Sequence, residues 1–278
     1  QFTADVRSAP VKRIADVIQL RARQFPEDQG PLSHPVRPDQ FQEINNFYTA
    51  TVYEKGAEVI GMLKTLVGDA AYKAALDLYF ERHDGDAATI EDWLAVFEDA
   101  SGRDMSQFKL WYSQAGTPRI TVSDSYADGI YTLTLAQDTP PTPGQPDKHP
   151  LVIPIAVGLL DADGTEVEAT QVMELTQAEQ SWTFTGLSNK PVPSVLRDFS
   201  APVILDHDQD NATLALLLAH DTDPFNRYEA GRSLATDVII RMTCDNTAPD
   251  AAYLDGIAAV LRDDGLDPAF RARVLADL

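Results

Sequence analysis

Cysteine is almost absent from this 278-residue sequence: Cys244 stands alone, so no disulfide can close within the chain. A lone thiol fits a reducing compartment. Cys244 follows an apolar helical stretch and no His can be placed beside it, so it reads as a buried or half-buried structural residue rather than a catalytic thiol. Basic residues are also scarce, with 22 Lys and Arg against 43 Asp and Glu and a net charge of −21. That balance excludes the cationic footprint that nucleic acid requires and argues equally against an anionic membrane surface. No apolar run approaches the ~20 residues of a bilayer span. The opening Gln1-Phe2-Thr3-Ala4-Asp5 has no initiator Met, no basic region and no apolar region. It does not read as a secretory signal, and it reads as a cut, made inside a longer polypeptide or by processing. A cytoplasmic location is the expectation.

Familiar catalytic signatures are missing too. The five histidines, His34, His83, His149, His207 and His220, never lie three or four residues apart. No helix can then offer two of them to one metal, and neither H-E-x-x-H nor C-x-x-C occurs. There is no Gly-rich phosphate loop and no G-x-S-x-G elbow. Asp206-His207-Asp208-Gln209-Asp210 starts like a calcium loop, but Asn211 stands where the turn glycine belongs and Leu217 where the bidentate Glu belongs. It reads as a solvated link, and no metal site is expected anywhere in the chain.

What is present falls into three zones, a multi-domain α+β organisation. The first zone is helical, with helices expected over 11–25, 51–67, 69–82, 90–100 and 106–115. Pro26 to Pro38 reads as an extended loop. Gly68 sits where a helix C-cap belongs, and Thr89 with Asp92 forms an N-terminal capping signal. From Arg119 the period changes to two, with an Asp128-Gly129 hairpin signal and strands expected over 151–160, 166–175, 181–184, 195–198 and 202–205. Seven or so short strands without intervening helices suggest a small antiparallel β-sandwich. Helical pattern returns over 211–220, 224–244, 249–263 and 268–278, three of these opening on Pro. The expected domains are 1–117, 118–206 and 207–278.

One segment carries an unusual load of functional side chains: Asn45-Asn46-Phe47-Tyr48-Thr49-Ala50-Thr51-Val52-Tyr53-Glu54-Lys55-Gly56-Ala57. Asn and Thr can simply cap the helix that starts here, while the tyrosines pack and Glu54 complements the helix dipole. Alternatively, a phenol projecting from a helix N-terminus can stabilise an oxyanion.

This segment resembles the tyrosine-bearing helix of M1-family zinc aminopeptidases, of the bacterial aminopeptidase N type. Ser33-His34-Pro35-Val36-Arg37-Pro38, Leu78-Tyr79-Phe80-Glu81-Arg82-His83-Asp84-Gly85, Phe97-Glu98-Asp99-Ala100-Ser101 and Trp111-Tyr112-Ser113-Gln114-Ala115-Gly116-Thr117-Pro118 resemble the same family. So does Phe199-Ser200-Ala201-Pro202-Val203. The resemblance implies the helical half of a thermolysin-like catalytic domain, then the β-sandwich, then the start of a C-terminal α-helical domain. It implies Tyr53 as the donor to the tetrahedral intermediate, Tyr48 and Asn45 as part of the pocket for the substrate's first side chain, and Glu54 in a supporting hydrogen bond. It implies Zn2+ in the parent protein, with peptides as substrates. The zinc ligands and general base would lie in a missing N-terminal part of the same polypeptide, so this piece is expected to bind no zinc and to be inactive alone. The competing readings are a non-catalytic binding or scaffold module built on the sandwich and helices, and an independent hydrolase with an unrecognised site.

Overall fold

A computed structural model describes residues 8–276. The first module opens with α1 (Ala9–Gln19), where the Ser8 hydroxyl accepts from Val11 N. The helix does not stop at Phe25. It passes through a π-turn, Leu20–Gln24, in which Phe25 N reaches back to Leu20 O, and continues into α2 (Phe25–Asp28). Pro26 follows the π-turn directly, as the second residue of α2. The expected loop thus begins at Gln29 rather than Pro26.

A 3₁₀ turn (Ile44–Phe47) and a second π-turn (Thr51–Lys55) lead into α3 (Gly56–His83). Inside α3, Gly68 has φ 78° and ψ 163°, so the element is two helical arms hinged where the sequence placed a stop. Only glycine reaches that backbone region without strain. In α4 (Ile90–Ser101), Thr89 Oγ1 accepts from Asp92 N while Asp92 Oδ2 accepts from Thr89 N, the reciprocal cap expected from the sequence. The last helix, α5 (Leu110–Ser113), is shorter than expected, because residues 106–109 form turns. Asp104 Oδ1 accepts from Ser106 N at 2.8 Å and offers that backbone a local alternative to helix. Val59, Met62, Leu63, Phe97, Phe108 and Trp111 are fully buried within the module.

The sandwich holds seven strands: β1 (Arg119–Ala127), β2 (Ile130–Asp138), β3 (Ile153–Leu160), β4 (Glu166–Leu175), β5 (Glu179–Thr185), β6 (Val192–Val195) and β7 (Ile204–Asp206). They form sheets ordered β5-β2-β1-β7 and β4-β3-β6. The β1–β2 hairpin turns at Asp128 (φ 52°) and Gly129 (φ 78°), a pair of left-handed residues matching the strand twist. All pairings are antiparallel except β1 with β7. β3 is central in its sheet and buried at every position, which explains its unbroken apolar sequence. The strand expected over 195–198 ends at Val195 instead. Leu196, Asp198 and Phe199 then take left-handed backbone in a tight turn, and Arg197 enters the interior.

The third module packs α6 (Asn211–His220), α7 (Pro224–Cys244), α8 (Ala251–Arg262) and α9 (Pro268–Ala276). Asp210, Asp223 and Asp250 cap the first three. Pro249 stands outside α8, so two helices rather than three open on Pro. Leu218 of α6 presses against Gly231 of α7 and Gly256 of α8, where an added Cβ would lie 2.9 and 2.8 Å from its methyls. Cys244 is exposed, not buried: it ends α7 beyond Val238, the last buried residue of that helix. Among the described residues no helix is long and apolar enough to cross a membrane.

Candidate active-site segment

The segment around Tyr53 is shaped by two π-turns lying side by side. Each inserts an i→i+5 bond into its helix, Phe25 N to Leu20 O in one and Gly56 N to Thr51 O in the other. Such insertions turn side chains away from the positions a regular helix would give them. Hydrogen bonds knit the first helical run to the second π-turn on its buried side. Gln24 Nε2 donates to Thr51 Oγ1 at 3.3 Å, the Thr51 hydroxyl donates to Glu27 Oε1 at 2.6 Å, and Lys55 Nζ donates to Asp28 Oδ2 at 2.7 Å. Thr51 and Lys55 are therefore interior residues, at 0 % and 1 % exposure.

Tyr53 lies midway between them and faces out, 57 % exposed. Tyr48, 68 % exposed, stacks on it with ring centroids 6.1 Å apart and planes 19° apart. The structure thus brings these two predicted residues together. Asn45 lies on the exposed 3₁₀ turn just before them, and its carbonyl accepts from Tyr48 N at 3.2 Å. Glu54 does not join the tyrosines. It turns to the first π-turn, accepting from Gln19 Nε2 at 3.0 Å with the Arg23 guanidinium 3.8 Å away.

The entry to the helix is braced by residues that the site reading did not single out. Thr49 Oγ1 accepts from Val52 N at 3.2 Å, so Thr rather than Asn caps this helix. Thr49 also meets His34 Nε2 at 2.9 Å, while His34 Nδ1 lies 2.8 Å from Leu32 O. A carbonyl only accepts, so Nδ1 carries the proton and, in the neutral ring, Nε2 accepts from the Thr49 hydroxyl. Asp28 is the other unanticipated centre. Its Oδ1 accepts from Gly116 N at 2.8 Å and Ser33 Oγ at 3.2 Å, and its Oδ2 accepts from Thr117 Oγ1 at 3.0 Å as well as from Lys55. Burial pushes the Asp28 carboxyl up, but the Lys55 charge and hydrogen bond, helped by Gln24 and Gly116, outweigh it and hold the group below the ordinary carboxylate value. Nothing in the local sequence marks this pair, whose members are 27 residues apart.

Among the described residues no group of three or more His, Cys, Asp or Glu is placed to hold a metal ion. Glu54 is engaged by Gln19 and Arg23, and Glu27 by Thr51. Among the described residues no set of side chains fits zinc.

Residues 5–112 match the peptidase family M1 domain. Over that stretch the chain belongs to peptidase family M1. The M1 stretch is followed by a match over 116–208 to a domain of unknown function (DUF3458) with an Ig-like fold, and over 211–276 to its C-terminal companion (DUF3458_C), made of ARM repeats. The sequence is 52 % identical to aminopeptidase N of Caulobacter vibrioides over 281 residues, covering 99 % of this chain and 32 % of that protein. It is 43 % identical to aminopeptidase N of Escherichia coli K12 over 289 residues, covering 99 % and 33 %. The fold is similar to the crystal structure of Legionella pneumophila aminopeptidase A in complex with aspartic acid, with a TM-score of 0.78 and 28 % identity, over 94 % of this chain and 29 % of that one. The chain spans about a third of the length of the curated M1 relatives it matches.

Proposed function

We propose that this chain is part of a zinc-dependent aminopeptidase of the aminopeptidase N type, which removes N-terminal residues from peptides. Its share of the chemistry is to donate a hydrogen bond from Tyr53. The phenol hydroxyl meets the oxygen of the scissile carbonyl as that oxygen gains negative charge, an interaction that strengthens in the transition state and so raises kcat. Tyr48 and Asn45 form part of the wall that receives the substrate's first side chain, with Tyr48 also fixing the Tyr53 ring by stacking. Glu54 supports the site indirectly by bracing the two π-turns through Gln19.

The observation that carries this reading is the orientation of Tyr53. A tyrosine with buried neighbours two residues away on either side is held outward, paired with a second exposed tyrosine, on a stretch belonging to family M1. Zinc would be held by residues outside these 278, in a preceding part of the polypeptide that is this chain's principal partner. The module boundaries follow as 1–117, 118–206 and 207–278, and the site of action is the cytoplasm.

Turnover of an alanine or arginine anilide, with zinc supplied and the intact mass measured, tests the assignment. A longer polypeptide carrying this chain turns the substrate over, and the 30.5 kDa chain alone does not. Turnover by the 30.5 kDa chain would place the chemistry elsewhere. An inactive longer polypeptide that still binds peptides would favour a scaffold module.

A further inference from the structure

We infer that Lys55 is a positioning residue for Tyr53, its ammonium fixing the π-turn in the one rotation that presents the phenol outward; this rests on the role proposed above for Tyr53. The Lys55 side chain is 1 % exposed and that of Asp28 is fully enclosed. Ion pairs so buried add little stability compared with apolar residues of the same volume, so stability alone is a weak reason for a lysine here. What the pair does provide is direction. Lys55 Nζ spans from the Tyr53 turn to Asp28 Oδ2 at 2.7 Å and to the Gly116 carbonyl at 3.0 Å, and its charge lies 5.9 Å from the Trp111 ring centre.

Asp28 in turn grips Gly116 N and Thr117 Oγ1, the residues that lead into β1. One ammonium therefore ties the Tyr53 turn to the end of the first helical run and to the entry of the sandwich. A π-turn is an α-helix carrying one extra residue, and losing that register rotates side chains by about 100°. A slip of this size would carry Tyr53 off its outward face and away from Tyr48. Thr51 resists the slip through Glu27, but that bond lies at the start of the turn, whereas Lys55 closes its end.

The test is a double-mutant cycle in the longer polypeptide carrying this chain, read as kcat and KM for an anilide. Lys55→Met lowers kcat at least tenfold with KM within twofold. Because Lys55 acts through the Tyr53 hydroxyl, the same change in a Tyr53→Phe background costs less than twofold more. Lys55→Met leaves a buried carboxylate alone, so Asp28→Asn/Lys55→Met repeats the measurement without the lone charge and gives the same pattern. Lys73→Met/Asp77→Asn, an exposed pair on α3, leaves kcat unchanged. Equal losses from Lys55→Met in both backgrounds, or undiminished kcat in folded Asp28→Asn/Lys55→Met, would overturn the inference while leaving the role of Tyr53 intact. Full kcat in Tyr53→Phe alone would remove both.

Discussion

The Arg197 guanidinium meets the Asp221 carboxylate at 3.1 Å where the sandwich joins the third module, and neither side chain is more than 2 % exposed. The hub extends to Glu166 at 2.6 Å, to Ser194, which donates to Asp221 Oδ2 at 2.6 Å, and to Asn226. Gly158 of β3 lies directly beneath it: an added Cβ would sit 2.2 Å from the guanidinium carbon. The left-handed residues on either side of Arg197 hold it in this position at a cost in backbone strain.

The Gly158→Ala variant should lose about 1–3 kcal/mol by overpacking, and Asp221→Ala about 3–5 kcal/mol by leaving the guanidinium buried without its partner. Urea unfolding of the chain measures both. Wild-type stability in Gly158→Ala would show that Arg197 has room to move aside.

Two glycines on α3 should respond in opposite directions. Gly68 has φ 78°, so Gly68→Ala costs about 1–3 kcal/mol. Gly61 lies in regular helix with open space around it, so Gly61→Ala gains about 1 kcal/mol. Thermal midpoints of the two variants decide the matter, and the prediction fails if they move the same way.

The Asp28–Lys55 pair has an acid limit. The Asp28 carboxyl is held below its ordinary value, so the folded state binds its proton less readily than the unfolded chain does. The stability this gives is present above about pH 4, the value of a free Asp, and is lost as pH falls through the depressed value. Wild type should therefore lose more stability than Asp28→Asn between pH 5 and pH 2. Parallel acid profiles would contradict this.

Large apolar side chains are exposed in the sequence leading up to the tyrosines. Leu32, Phe41 and Ile44 are each more than half exposed, and Phe41 packs on Phe47 with ring centres 4.5 Å apart. The chain alone should bind an apolar dye in its native state, and Phe41→Ser/Ile44→Ser should reduce that binding. Native protein that leaves the dye dark would argue that this face needs no cover.

Much of the fold was legible in the sequence because it is encoded locally. Thr89 and Asp92 announce their cap, Asp128-Gly129 its hairpin, and Gly68 its break. The π-turns were not legible, since one extra residue hardly disturbs the apolar period from Ile14 to Phe25. Neither was the parallel pairing of β1 with β7, which joins segments more than 80 residues apart. At the site, the sequence singled out Tyr48 and Tyr53, and the structure stacks them. It gave no role to Asp28, Lys55 or His34, whose roles depend on partners from distant turns. Cys244 was misread because an apolar approach does not reveal where a helix leaves the core.

The most direct test of the account is kcat for an alanine anilide in the longer polypeptide with Tyr53→Phe, beside wild type. Tyr53 is exposed, so the fold should survive. Losing one donor to the oxyanion should lower kcat about 100- to 1000-fold. With KM little changed, that result supports Tyr53 as the donor, whereas wild-type kcat in the folded variant would contradict it.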